Sequence, residues 1–172
     1  DLFVHIRMIH ARKKLRATVL QEFREFVNPT KKPKPFIDDI LIPMGEAFDQ
    51  IANASFEGTK RVDEINRYLT YLNRIDNFDW QPPAILYMTL NRNKTRKVLR
   101  FLQKLERLAA SMMIIRADIN YRLERYGRLI KSIQDDEDVF NDDSPLQLTS
   151  SEQGKVITAL DGDIYKVVKI RV

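Results

Sequence analysis

The stretches from Asp1 to Asn28 and from Ala84 to Tyr126 contain neither glycine nor proline. Glycine and proline are the strongest helix breakers, so spans of this length without them favour long helices. The whole chain holds only five glycines, and over most of its length apolar residues recur at three- and four-residue steps. These features point to an all-α fold, an irregular bundle of about six or seven helices. At 172 residues, with 44% apolar and 31% charged residues, the chain suits one globular domain with a real core.

The first helix is predicted over 2–27, where Leu2, Ile6, Ile9, Leu20, Phe23 and Val27 keep step on either side of the basic Arg12-Lys13-Lys14. Asn28-Pro29 stops it, and the Lys- and Pro-rich loop 30–35 reads as solvated and partly extended. A second helix spans about 37–54, with Pro43 either kinking it or starting it. A third spans about 62–74.

Then comes Ile75-Asp76-Asn77-Phe78-Asp79-Trp80-Gln81-Pro82-Pro83, a helix-to-helix corner that carries the single tryptophan. Asp76 is placed to close the preceding turn, and Asp79 to cap the next helix with Pro82 in its first turn. That helix, about 82–90, is apolar on all sides and so belongs at the centre. A long amphipathic helix follows over about 95–115, and Asp118 or Asn120 starts another.

The acidic run Asp135-Asp136-Glu137-Asp138 and the following Asn141-Asp142-Asp143-Ser144-Pro145 read as a mobile linker. Ser150 or Ser151 caps a last helix to about Leu160, and Asp161-Gly162-Asp163 turns out of it. The tail from Ile164 alternates apolar and basic residues, as a strand or a further helix start. The organisation expected is a helical domain over 1–134, an acidic linker over 135–147, and a short helix with the start of a following segment over 148–172. Both ends fall inside apolar patterns, as in a piece of a longer protein.

Few residues are chemically distinctive. There is no cysteine, which excludes disulfides, thiolate zinc sites and cysteine nucleophiles and fits a reducing, cytoplasmic setting. No apolar run approaches the ~20 residues a membrane span needs. His5 and His10 sit five apart, so they point away from each other on a helix and make no metal pair. Asp76, Asp79 and Glu106 are carboxylates with bland roles available, Glu106 beside Lys104 and Arg107 as a local ion pair. No phosphate-binding glycine loop or serine nucleophile motif is present. No catalytic residue, metal site or cofactor is expected, and the chain itself is expected to hydrolyse neither nucleic acid nor nucleotide.

The basic residues are the better lead. Formal charge is +5, and Arg96, Lys97, Arg100 and Lys104 form a stripe at helical spacing, beside the leucine stripe that faces the core. Regularly spaced cations on a rigid helix suit a phosphate backbone; the bland reading is a solvated face. Arg122, Arg125 and Arg128 make a second row. Lys13, Lys14 and Arg16 cluster, as do Lys31, Lys32 and Lys34 in the loop. A stripe free of nearby Asp and Glu favours DNA contact, whereas a neutralised one favours a protein-interaction module.

Four segments carry a family resemblance: Leu2 to Met8, Ile75 to Ala84, Phe101 to Ala109 and Asn120 to Tyr126. With Leu160 to Tyr165, they resemble the helical middle region of GmrSD-type proteins. These are type IV, modification-dependent restriction endonucleases that join a ParB-like nucleotide-binding domain to an HNH-type nuclease domain. The Asp79-Trp80-x-Pro-Pro corner and Leu105-Glu106-Arg107-Leu108-Ala109 are the strongest parts. The resemblance implies a non-catalytic connector, with the flanking domains and DNA as its partners. The family's nucleotide and nuclease motifs would lie outside residues 1–172, so none of its catalytic residues maps here. It implies a parent reading frame in which a His/Asn-bearing nuclease motif follows within ~100–200 residues; a stop codon directly after Val172 would overturn that.

Overall fold

The computed structural model describes residues 2–162; the tail read above as a strand or helix start lies outside them. Among the described residues there is no strand, and eight helices have eight residues or more. They are α1 (Leu2–Ala11), α2 (Val19–Phe26), α4 (Ile42–Asn53), α5 (Val62–Leu72), α6 (Gln81–Leu90), α7 (Thr95–Ile114), α8 (Ile119–Gln134) and α9 (Ser150–Asp161). A single turn, α3 (Pro33–Pro35), runs through a π-helical segment, Phe36–Leu41, into α4. The fold is thus all-α, as the breaker-free spans require.

Helix α6 is the centre. Every residue from Gln81 to Met88 is buried, and α1, α4, α7 and α8 pack around it. The Tyr87 ring stacks on Phe101 of α7 at 3.9 Å, nearly parallel. α5 leans on the outer side of α7, α2 on α1, and α9 on α7. Pro43 falls in the first turn of α4, so it starts that helix after the π-helical turn.

One expected helix is two. α1 ends at Ala11, and Arg12 takes a left-handed backbone with φ 55°. α2 restarts behind a capping box in which Thr18 Oγ1 accepts the Gln21 N–H and the Gln21 side chain accepts the Thr18 N–H. The break is made by tertiary contacts. The Arg7 guanidinium donates to the Lys13 and Lys14 carbonyls and pairs with Glu22 in the interior. Burial pushes the Glu22 carboxyl up, but the Arg16 and Ala17 N–H groups and Arg7 outweigh it and hold it below its ordinary pKa.

The loop is also clamped from α8. A Cβ added at Gly127 would lie 2.4 Å from the Arg12 carbonyl oxygen. That oxygen is backbone and cannot swing aside, so Gly127→Ala is expected to destabilise by roughly 1–3 kcal/mol despite alanine's better helix propensity. A thermal melt checks this; an unchanged or raised midpoint would mean the loop yields freely.

The segment 135–147 is at odds with its reading as a mobile linker. Its acids are exposed, yet Val139, Ser144 and Leu146 are buried, and Phe140 packs edge-on against Tyr87 at 6.4 Å. Hydrophobic anchors inside the acidic run hold it against the bundle. The α9 cap is Thr149, not a serine, and forms a second capping box with Glu152. Loop 30–35 is exposed as expected, but it is wound into a 3₁₀ turn (Pro29–Lys31) and α3 instead of being extended.

Candidate functional site

The corner after α5 is built around Trp80, which is fully buried. Its indole Nε1–H donates to the Asn77 carbonyl at 3.0 Å, which closes the turn from within. Pro82 and Pro83 occupy the start of α6, where a missing N–H costs nothing. Two carboxylate roles differ from expectation. The N-cap position of α6 is Trp80, with no side-chain cap, because the Asp79 carboxylate is taken by Arg122 of α8. Arg122 Nε donates to Asp79 Oδ2 at 2.8 Å, and its Nη1 donates to the Ala117 carbonyl at 2.6 Å. Asp76 is exposed and closes no turn with its side chain. The corner is therefore pinned to α8 by an ion pair between residues 43 positions apart. Beneath it, burial first and Asp79 second push the Tyr126 phenol pKa well up.

In front of the corner lies a groove of about 790 Å³. Its apolar wall includes Met8 of α1, Leu15 of the α1–α2 loop, Phe78 and Pro82 of the corner, and Ile119 and Leu123 of α8. Phe78 is 63% exposed and Ile119 45%. Lys13 and Lys14 form the cationic rim. Lys14 Nζ donates to Asn120 Oδ1 at 3.0 Å, and Lys13 sits 4.3 Å over the Phe26 ring.

The basic stripe takes a second face. Arg96, Lys97 and Arg100 are exposed on α7. Lys104 is half-buried and is diverted towards Gln147, whose Oε1 lies 3.4 Å from its Nζ. Arg100 lies over the Phe140 ring at 4.0 Å, a cation–π contact. A groove of about 840 Å³ is lined by Lys94, Arg96, Lys97 and Arg100 together with Asp136, Glu137 and Asp138. No ion pair joins these cations to these acids among the described residues. Sequence reasoning found the stripe but not the acids facing it, because the α8–α9 segment doubles back onto α7.

Two members of the second basic row are absorbed by the fold. Arg125 is buried and bonded to Glu152, while Arg122 holds Asp79. Only Arg128 of that row stays exposed. Glu106 is half-buried and pairs with neither Lys104 nor Arg107; burial raises its pKa. No three His, Asp or Glu side chains among the described residues gather as a metal site. No described helix is long and apolar enough to cross a membrane.

His5 lines the first groove, with its ring 5.6 Å from Phe48. Burial lowers its pKa to about 4. The unfolded chain, with histidine near 6.5, binds the proton first, so stability falls as pH drops from about 6.5 to about 4. The loss is on the order of 2–3 kcal/mol. Denaturant titrations at pH 7 and 4.5 should show a smaller pH difference for His5→Asn; an identical difference would remove His5 from the account.

Comparison of the chain with protein-family models, curated proteins and solved structures finds no match.

Proposed function

We propose that this chain is a non-catalytic helical connector in a GmrSD-type, modification-dependent restriction endonuclease, and that its apolar groove seats a segment of a flanking nucleotide-binding or nuclease module. The observation that supports it is the convergence at the groove. Val4 and Met8, Phe78 and Pro82, and Leu123 belong to separate segments that resemble the family, and all line one groove. Exposed Phe78 and Ile119 offer the rigid, apolar anchor positions that interfaces use. Lys13 and Lys14 on the rim suit an occupant that flanks its apolar face with acids. The parent acts on DNA in the cytoplasm under this reading, while this domain transmits between modules and needs no cofactor of its own.

A second reading, contact with the DNA backbone, draws on Arg96 and Lys97, which are exposed and form no ion pair among the described residues. The acids opposite them make it the weaker of the two, since a partly neutralised stripe favours protein interaction.

The test is calorimetric titration of the domain with each flanking module, purified separately. Binding by one of them is expected, weakened at least about tenfold by Phe78→Asp with Ile119→Asp, while the thermal midpoint is kept. Failure of both modules to bind, or binding untouched by the double change, would overturn the connector reading.

A further inference from the structure

The acidic segment over 136–138 is placed where a ligand of the stripe would go. Asp136, Glu137 and Asp138 share one groove with Lys94, Arg96, Lys97 and Arg100. They are held there by apolar side chains, since Val139 and Leu146 are buried and Phe140 lies between Tyr87 and Arg100. The backbone is fixed too. Asp136 adopts a left-handed φ of 54°, the Glu137 N–H donates to the Ser132 carbonyl, and Asp138 Oδ1 accepts the Phe140 N–H. Yet these acids and cations form no direct ion pair among the described residues. Here they line one open groove of about 840 Å³.

We propose that Asp136, Glu137 and Asp138 form a tethered anion that competes with the phosphates of duplex DNA for the cations of α7, an inference that rests on the DNA-backbone reading. An attached anion acts as a permanent local counterion. It lowers affinity for phosphates, and it flattens the salt dependence because fewer mobile ions are released on binding. The stripe therefore engages DNA well only where the duplex displaces the segment or is presented at high local concentration by a module of the same chain.

The test is anisotropy of a labelled duplex at low salt. Asp136→Asn, Glu137→Gln and Asp138→Asn together keep the hydrogen-bond acceptors, and asparagine tolerates the left-handed position at 136. This triple variant is expected to bind at least about threefold tighter than the unaltered protein, with a steeper salt slope. Adding Arg96→Glu and Lys97→Glu should abolish the gain. A control with equal net charge neutralises exposed acids elsewhere, Asp38→Asn, Asp39→Asn and Glu57→Gln, and should gain less. Binding by the unaltered protein that the triple variant leaves unchanged would overturn the competitor while DNA contact stands. So would a gain matched by the control, or one that survives the Arg96/Lys97 change. No association by any variant would overturn both readings together.

Discussion

Trp80→Ala is expected to lower the free energy of unfolding by roughly 3–5 kcal/mol, the cost of emptying a fully packed aromatic site. Trp80 is completely buried and is the largest such side chain in the core. Its loss removes more than contact area. The indole N–H closes the Asn77 turn, so the corner that sets the direction of α6 loses its internal bond as well. Trp80→Phe should retain much of the packing but not the hydrogen bond, and so fall between the two. Denaturant unfolding of the three proteins decides this. A near-zero loss for alanine would mean that the surroundings collapse into the space.

Arg125→Met carries the second large effect, again roughly 3–5 kcal/mol, as when one partner of a buried pair is removed. Arg125 Nε donates to the Pro145 carbonyl at 2.6 Å, and Nη2 bonds the Gln147 carbonyl and Glu152. One guanidinium thus ties the end of the acidic segment and the start of α9 to α8. Burial pushes the Glu152 carboxyl up, but the Tyr121 hydroxyl, the Thr149 N–H and Arg125 outweigh it and hold its pKa below the ordinary value. That contribution is in place above an unfolded glutamate's pKa of about 4.3 and disappears as pH falls through the lowered native value. Adding Glu152→Gln to Arg125→Met should recover part of the loss by removing the stranded charge. Limited proteolysis should cut Arg125→Met first within 135–149; a digestion pattern like that of the unaltered protein would show that other contacts hold the segment.

The fold was legible where local signals and tertiary needs agree. An apolar-all-round run marked α6 as the centre, and Asp118 is the cap of α8, with its side chain accepting the Asn120 N–H. It was illegible where distant residues decide. Nothing local to Arg12 ends a helix; the glycine that lets α8 approach it is residue 127. Thr18-x-x-Gln21 and Thr149-x-x-Glu152 were readable capping boxes, hidden by an unbroken apolar period in the first case and by two nearer serines in the second. Asp79 looked like a cap because caps are local, whereas its partner Arg122 is on another helix. For the candidate sites, helical spacing shows the stripe of α7. The wall opposite it comes from a composition that ordinarily means solvated chain, and only the burial of Val139 and Leu146 reveals where it docks.

The position of α6 also sets the order in which this polypeptide can become a protein on the ribosome. Its neighbours α1 and α4 precede it, but α7 and α8 follow. A nascent chain that has emerged only through Leu90 carries its most apolar helix half uncovered, and the closing face arrives with residues 119–134. Synthesis therefore passes through an interval in which this sequence is chaperone-prone, and any truncation ahead of α8 makes that interval permanent.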